Sequence, residues 1–425
     1  MLVQIGDIHF PELDREMRPV NDKDPQFPKI LSHELPRTSL EVILTHLLTH
    51  LNQAPTAVLL AGDLTSNGDL QSYKACLQFL RDRTPSNLLE LSHGQRVLIV
   101  PGNHDVNHAL CGKENVTDKF QPLRAAVEEF GFPALAGSGV TGGRVPNDSE
   151  IQLLTLGLNS CLGCGERRQY RSEVEGIVSP HLPPGSFLSG NLPLHDELDL
   201  PLVSEAHFSQ AIDQIKQSPA SCLPIILAHH NLLPQKVPRL AIYSELLNAG
   251  WIRQGLLELK RPVLYLHGHI HDDPIDIVES AHSPRARIVS IAAPPLAPTR
   301  EGREAKSGFN VIRVFYSRHS LPIGCEVELV RFVKWGRMAA EKRRIPLLPR
   351  EDSYAHADEA SRSVLEKVPM RPEFLTDLLE RCQGHPDPHM TPETLAELVE
   401  QLEWLGLVKL EDREAPLVNR QVRRV

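Results

Sequence analysis

Residues 97–108 read VLIVPGNHDVNH: an apolar run, Val97–Val100, stops at Pro101-Gly102, and Asn103, His104 and Asp105 follow at once. Pro-Gly-Asn is ordinary turn chemistry after a strand, so the stretch taken by itself is consistent with a structural turn. Its weight comes from recurrence. Leu2–Ile5 stops at Gly6-Asp7, Ala57–Ala61 at Gly62-Asp63, Ile225–Ala228 at His229-His230, and Val263–Leu266 at His267-Gly268-His269. Each run has the length of a short buried strand, and each ends in carboxylates, amides or imidazoles.

Helical patterns lie between the early runs. Thr38 to Asn52 carries a stripe of Leu40, Ile43, Leu44, Leu47, Leu48 and Leu51, and Asp69 is placed to cap a helix with Leu70, Tyr73, Leu77 and Leu80 on one face. Strand–helix alternation predicts a layered α/β fold, a β-sandwich flanked by helices, in which sites gather beyond the carboxyl ends of strands. Further strands are expected at Ile151–Leu158, Arg287–Ile291 and Phe309–Val314. Pro11–Arg37, Gly131–Asn147 and Gly163–Pro201 read as long loops.

The character changes near Ile345. The expected division is a main domain over 1–345, a linker over 346–365 and a small C-terminal module over 366–425. Within the module, Pro372–Cys382 reads as a helix. Thr391 is a cap for a second helix with Pro392 at its first position, and Gly406 ends it. Leu407–Leu410 and Leu417–Val425 read as strands. Helices followed by a strand pair suggest a winged-helix-like module; a helical dimerisation or docking tail is the alternative.

Composition narrows the function classes. The chain has 425 residues, is 41% hydrophobic and 23% charged, and so has the means to build a core. A net charge of −9 argues against a general nucleic-acid-coating protein. Seven cysteines spread from Cys76 to Cys382 do not form a disulfide framework, and they fit a reducing, cytoplasmic setting. Cys161-Leu-Gly-Cys164 is a single CxxC without a second pair at zinc-finger spacing. The N-terminal MLVQIGDIHF lacks a basic region and a long apolar stretch, and no run approaches the ~18 apolar residues of a membrane span.

The strand-end residues form one set: Asp7, His9, Asp63, Asn103, His104, Asp105, His229, His230, His267, His269 and His271. A mixed oxygen and nitrogen set without cysteine suits Mn²⁺, Fe²⁺ or Zn²⁺. Asp7-Ile-His9 and His269-Ile-His271 place two ligands at i and i+2, which share a face if the backbone stays extended. The set is too large for one four-coordinate ion and fits two ions bridged by a carboxylate.

These segments resemble the calcineurin-like metallophosphoesterase superfamily, whose motifs are DxH, GDxxxxG, GNHD, a strand ending in His, and GHxH. Here they stand as Asp7-Ile-His9, Gly62-Asp63 through Gly68, Gly102-Asn103-His104-Asp105, Ala228-His229-His230 and Gly268-His269-Ile-His271. All five occur in order within roughly the first three quarters of the chain. The resemblance implies that Asp7, His9 and His271 hold one metal, that Asn103, His229 and His269 hold the second, and that Asp63 bridges them. It implies that His104 meets the phosphate, that Asp105 orients His104, and that Gly68 allows a tight turn. His267 is a neighbour.

The activity implied is a dinuclear metal-dependent phosphoesterase that cleaves a phosphodiester of a small or cyclic nucleotide by attack of a metal-bridging hydroxide. The two ions, Mn²⁺ first and Fe²⁺ or Zn²⁺ as alternatives, would lie about 3.5–4 Å apart. GDLTSNG, VPGNHDVN and SGFNVIRV look closest to bacterial phosphodiesterase-like members. Three alternatives stay open: a DNA or RNA nuclease similar to repair nucleases, a phosphomonoesterase, and an idle scaffold. Residues 366–425 hold eight Lys or Arg and twelve Asp or Glu, a poor electrostatic footprint for DNA despite Arg420, Arg423 and Arg424. A protein or nucleic-acid partner is expected through this module, and no membrane.

Overall fold

The computed structural model describes residues 1–10, 57–65, 68–83, 97–111, 115, 117–132, 141–146, 152–165, 201–234, 246–281, 283–296, 307–317, 320–333, 337–348, 354, 357–383, 390–412, 415–416 and 419–425. The helix expected over Thr38–Asn52, the loop Pro11–Arg37 and nearly all of the loop 163–201 lie outside these residues.

Two six-stranded sheets face each other. The first is ordered β12-β11-β10-β1-β2-β3. Its strands are β1 (Leu2–Ile5), β2 (Ala57–Leu60), β3 (Val97–Ile99), β10 (Gly308–Tyr316), β11 (Pro322–Val333) and β12 (Arg337–Pro346). The second is ordered β4-β5-β6-β7-β9-β8. It comprises β4 (Thr141–Pro146), β5 (Gln152–Gly157), β6 (Leu223–Leu227), β7 (Pro262–His267), β8 (Ile275–Ser280) and β9 (Ser283–Ala292). β1–β2–β3 run parallel, as do β5–β6–β7–β9, so their carboxyl ends lie at common edges.

The alternation of side chains along each strand builds three apolar layers. Leu2, Leu59 and Leu98 from one sheet meet Leu223, Ile225, Leu264 and Ile291 from the other in the central layer. Val3, Val58 and Val97 point the opposite way, to Tyr73, Leu77 and Leu80 of α1 (Leu70–Arg83) and Leu123 and Val127 of α2 (Gln121–Glu129). Leu154, Ile226 and Tyr265 face Phe208, Ala211 and Ile215 of α3 (Glu205–Gln217) and Ile252 and Leu256 of α4 (Ala249–Glu258). The result is the layered α/β sandwich with helices outside. Asp69 caps α1, its Oδ1 accepting the Ser72 N–H at 2.9 Å.

A buried polar tie crosses the central layer. Gln4 Nε2 donates to the carbonyls of His267 and Ile291, at 3.0 Å each, and Asn310 Nδ2 donates to Gln4 Oε1 at 2.9 Å and to Ala292 O at 2.8 Å. Arg331 donates to Asn310 Oδ1 at 2.9 Å and to Asp273 Oδ2 at 2.9 Å. Each end of the tie is satisfied, as a buried polar group must be.

Several expectations are corrected. Residues 141–146 of the stretch expected as loop pair with β5 as β4. The stretch 346–365 is structured in part: Leu347 and Leu348 are buried, and α5 (Glu359–Lys367) starts inside it, capped by Asp358. The helix expected from Pro372 begins later, because Glu373–Phe374 pair as β13 with β15 (Gln421–Arg424), leaving α6 at Leu375–Gln383. α7 (Pro392–Trp404) starts where expected, with Thr391 Oγ1 accepting the Thr394 N–H at 3.2 Å. Gly406 follows it at φ 69° and leads into β14 (Val408–Glu411).

α5, α6, α7 and the sheet β13-β15-β14 share one apolar cluster, which also takes in Ile323 and Leu348. Trp404 stacks on Phe315 with ring centroids 4.2 Å apart, and the Arg344 guanidinium lies 4.8 Å over the Trp404 ring. The C-terminal elements are therefore seated on β10–β12.

Candidate metal centre

Strand ends from both sheets deliver the expected residues to one place. Asp7 and His9 follow β1, Asp63 follows β2, and Asn103 and His104 follow β3. His229 follows β6, and His269 and His271 follow β7. The chain does not stay extended there. Asp7, His9, Asp63, His269 and His271 all have positive φ, between 50° and 69°. This corrects the shared-face argument: strand pairing ends at Ile5 and at His267, and left-handed residues curl the chain so that alternate side chains converge. The left-handed region costs a residue with a Cβ of order 1 kcal/mol or more, and such strain persists where the surroundings impose it, commonly at functional sites.

The strand-end residues fall into four overlapping groups whose ligand atoms lie within 4.8 Å of one another: Asp7, His9 and His271; Asp7, Asp63 and His229; His9, Asp63 and His104; and His229, His230 and His269. His271 Nε2 is 3.4 Å from Asp7 Oδ1, and the backbone N–H of His269 donates to the Asp7 carboxylate at 3.1 Å. Asn103 Oδ1 lies 2.9 Å from His229 Nε2 and 3.2 Å from His269 Nδ1. Asp63 stands between the groups, with Oδ2 at 3.3 Å from His229 Nε2 and 3.7 Å from His9 Nε2.

The chemistry of these donors fits cations. His229 Nδ1 faces the Ala61 carbonyl at 2.7 Å and must donate its hydrogen there, since a carbonyl only accepts. In the neutral ring the Nε2 lone pair then faces the oxygens of Asp63 and Asn103, and lone pairs held together favour a positive charge between them. Asp7 and Asp63 are fully buried, and among the described residues neither pairs with Lys or Arg. Burial raises the Asp63 pKa, but the imidazoles of His229, His104 and His9 outweigh it and hold the carboxyl well below the ordinary range. Burial lowers His229, but Asp63 and Asp7 outweigh that and raise it well above an ordinary histidine, so a cation bound there would displace the Nε2 proton. Burial drives His9 down to about 4, which keeps its ring neutral and free to ligate.

Glycines let the ligands approach. A Cβ on Gly102 would lie 2.0 Å from Asp63 Oδ1, one on Gly268 2.7 Å from Asp7 Oδ2, and one on Gly62 2.6 Å from His229 Nδ1. Gly68 sits at φ 63° with its Cα against the Val106 backbone, in the tight turn expected of it. The supporting Ala61 carbonyl carries no signal in the sequence, because a backbone group is invisible there.

His104 is exposed at the rim, its ring centroid 4.9 Å from that of His9 and its backbone N–H on Asp63 Oδ1 at 2.9 Å. The Asp105 carboxylate, expected to orient His104, makes no hydrogen bond to its ring among the described residues. This buried carboxylate accepts the N–H groups of Gly102 at 2.9 Å, Thr65 at 3.1 Å and Leu64 at 3.2 Å. These bonds use the carboxylate to tie the turn before Asn103 to the chain just after Asp63. Burial, followed by the charge of Asp63, pushes the Asp105 pKa up to about 7. His267 is buried at the end of β7, outside these groups, and Cys161 and Cys164 lie beside His230.

A calcineurin-like phosphoesterase family model matches residues 1–273. No curated protein sequence matches the chain. Among solved structures, a dimetal phosphatase from Danio rerio aligns at 11% identity and a TM-score of 0.43, covering 81% of this chain and 98% of that one. A structure of PhoD aligns at 12% identity and a TM-score of 0.45, covering 80% of this chain and 68% of that one.

Proposed function

The chain belongs to the calcineurin-like phosphoesterase family, and from that premise we propose that it hydrolyses a phosphodiester of a small or cyclic nucleotide at a dinuclear centre. The coarser class, a metal-dependent phosphoric ester hydrolase, follows from the family itself. In our assignment Asp7, His9 and His271 hold one divalent ion, Asn103, His229 and His269 hold the other, and Asp63 is shared. Two such ions supply Lewis acidity toward phosphoryl oxygens and lower the pKa of water, and Mn²⁺ suits the oxygen and nitrogen donors. His104, at the exposed rim, meets the phosphoryl group and donates a ring N–H toward the leaving oxygen. Asp105 is a positioning residue that sets the spacing between Asp63 and Asn103.

The observation that carries this reading is the pair of buried carboxylates, Asp7 and Asp63, ringed by imidazoles and lacking Lys or Arg partners among the described residues. Such a site leaves charge neutralisation to metal ions, which suits a diester with its single negative charge. The chain's net charge of −9 and the excess of acidic residues over 366–425 favour a small nucleotide over a polyanionic nucleic acid.

We read residues 1–345 as the catalytic domain, 346–365 as its connection and 366–425 as a winged-helix-like module. The order α5-β13-α6-α7-β14-β15 supports that reading. Its acidic balance suits a protein partner, and the scattered cysteines suit a cytoplasmic location. The test compares bis-p-nitrophenyl phosphate with p-nitrophenyl phosphate on Mn²⁺-loaded protein. We expect the diester to have the higher kcat/KM; preference for the monoester would assign the chain to the phosphomonoesterases.

A further inference from the structure

A second cluster of ligating side chains borders the Asp/His centre. Beyond β5 the chain enters Cys161-Leu-Gly-Cys164, a turn closed by the Cys164 N–H donating to Cys161 O at 3.1 Å. His230 arrives from the end of β6. One ligand atom each from Cys161, Cys164 and His230 lie within 4.8 Å of one another, and all three residues are buried. Cys161 Sγ is 3.9 Å from His230 Nδ1 and 3.3 Å from the Pro101 carbonyl oxygen. Sulfur and nitrogen ligands on one tetrahedral zinc stand about 3.6 Å apart, so little movement is needed.

The surroundings prepare these atoms for a cation. Ser160 Oγ accepts the backbone N–H groups of His229 and His230, at 3.2 Å each, and so turns its own hydrogen to His230 Nδ1 at 2.9 Å. The lone pair of that nitrogen accepts the hydroxyl hydrogen, so an ion bound there would take the place of that hydrogen and the hydroxyl would turn away. The buried ammonium of Lys119 donates to Leu162 O at 2.7 Å and Cys164 O at 2.6 Å, which fixes the turn. Burial raises the Cys161 pKa, but Cys164 and His230 outweigh it and bring the thiol to about 6.

We propose that Cys161, Cys164 and His230 form a third cation site for a thiophilic divalent ion of the Zn²⁺ class, adjoining the Asp/His centre through His230, which also offers a ligand atom within 4.8 Å of His229 and His269. Binding leaves both sulfurs as thiolates, any remaining thiol proton going to solvent. Two thiolates and a neutral imidazole then balance the charge of the ion, leaving a buried unit with no net charge. The Pro101 oxygen stands where it can complete a four-coordinate set. Sulfur ligands separate this site from the oxygen- and nitrogen-lined centre by metal preference. Its role is structural: it pins Pro101, which leads into Gly102-Asn103, and His230, which follows His229. The inference goes beyond the assigned reaction and is independent of which ester the centre cleaves.

The experiment is Co²⁺ titration of full-length, metal-stripped, thiol-reduced protein, followed by absorption. The Asp/His centre holds no sulfur, so an intense thiolate-to-cobalt charge-transfer band reports only the new site. We expect the band to saturate at one equivalent, to disappear on adding Zn²⁺, and to be absent from C161S/C164S. In H230Q the band should persist with at least tenfold weaker binding. Absence of the band in wild-type protein that binds Co²⁺ elsewhere would overturn the proposal, with no appeal to how the variants fold. So would a band that survives in C161S/C164S, or a Cys161–Cys164 disulfide as the sole state of protein purified without reductant.

Discussion

At the scale of single residues, the centre depends on atoms that approach more closely than side chains ordinarily allow. Gly102 has φ −100°, which any residue adopts, yet its missing Cβ makes room for the Asp63 carboxylate. Gly102→Ala should therefore lower kcat/KM at least a hundredfold, about 2.7 kcal/mol of transition-state stabilisation. Gly250→Ala, where the nearest atom stands 4.0 Å away, should leave kinetics unchanged. Removing the rim imidazole in His104→Ala should cost a factor of roughly 10²–10⁴ in kcat while metal content stays the same; metal analysis beside steady-state kinetics checks both halves, and loss of metal would make His104 a ligand. The residue types of this site were readable because carboxylates and imidazoles stand directly after apolar runs. The left-handed backbone at Asp7, His9, Asp63, His269 and His271 was not, since none is a glycine and only the packed loops impose the conformation. Nor were the backbone N–H groups that the Asp105 carboxylate accepts.

At the scale of elements, the strands that lead into the centre could be read because their whole length is buried. β1, β2, β3, β6 and β7 are short apolar runs bounded by polar residues, and burial on both faces leaves that mark. β12, Arg-Met-Ala-Ala-Glu-Lys-Arg-Arg-Ile-Pro, is an edge strand with most of its side chains in solvent, and its charges hide it from pattern reading while guarding the edge. α4 was missed because its two glycines weaken the helical signal. The tie of Gln4 and Asn310 binds β1, β7, β9 and β10 beneath the centre. Asn310→Leu would strand the Gln4 amide oxygen and the Ala292 carbonyl, at about 1–3 kcal/mol for each unsatisfied group. Urea unfolding should show a lower midpoint with an unchanged slope.

At the scale of the whole molecule, the apolar cluster of the C-terminal elements is continuous with β10–β12, which sequence alone could not reveal. The contact joins Phe315, Ile323 and Arg344 to Trp404 and its neighbours across more than fifty residues of chain. A Cβ on Gly324 would lie 2.3 Å from the Trp404 ring, so the indole fills the space above that glycine. Trp404→Ala should weaken this seat by about 3–5 kcal/mol. Limited proteolysis should then release the C-terminal elements, while diester hydrolysis by the centre, held by other strands, continues at the wild-type rate. A parallel loss of hydrolysis would make the module part of the catalytic unit.

The central claim is that Asp63 couples two ions in one catalytic centre. Mn²⁺ titration of metal-stripped protein tests it, followed by electron paramagnetic resonance and diester hydrolysis on the same samples. Wild-type protein should bind two equivalents with an exchange-coupled signal, and activity should rise with the second. Asp63→Asn should lose both the coupling and the turnover. A single uncoupled ion in active wild-type protein, or undiminished hydrolysis in Asp63→Asn, would contradict the account.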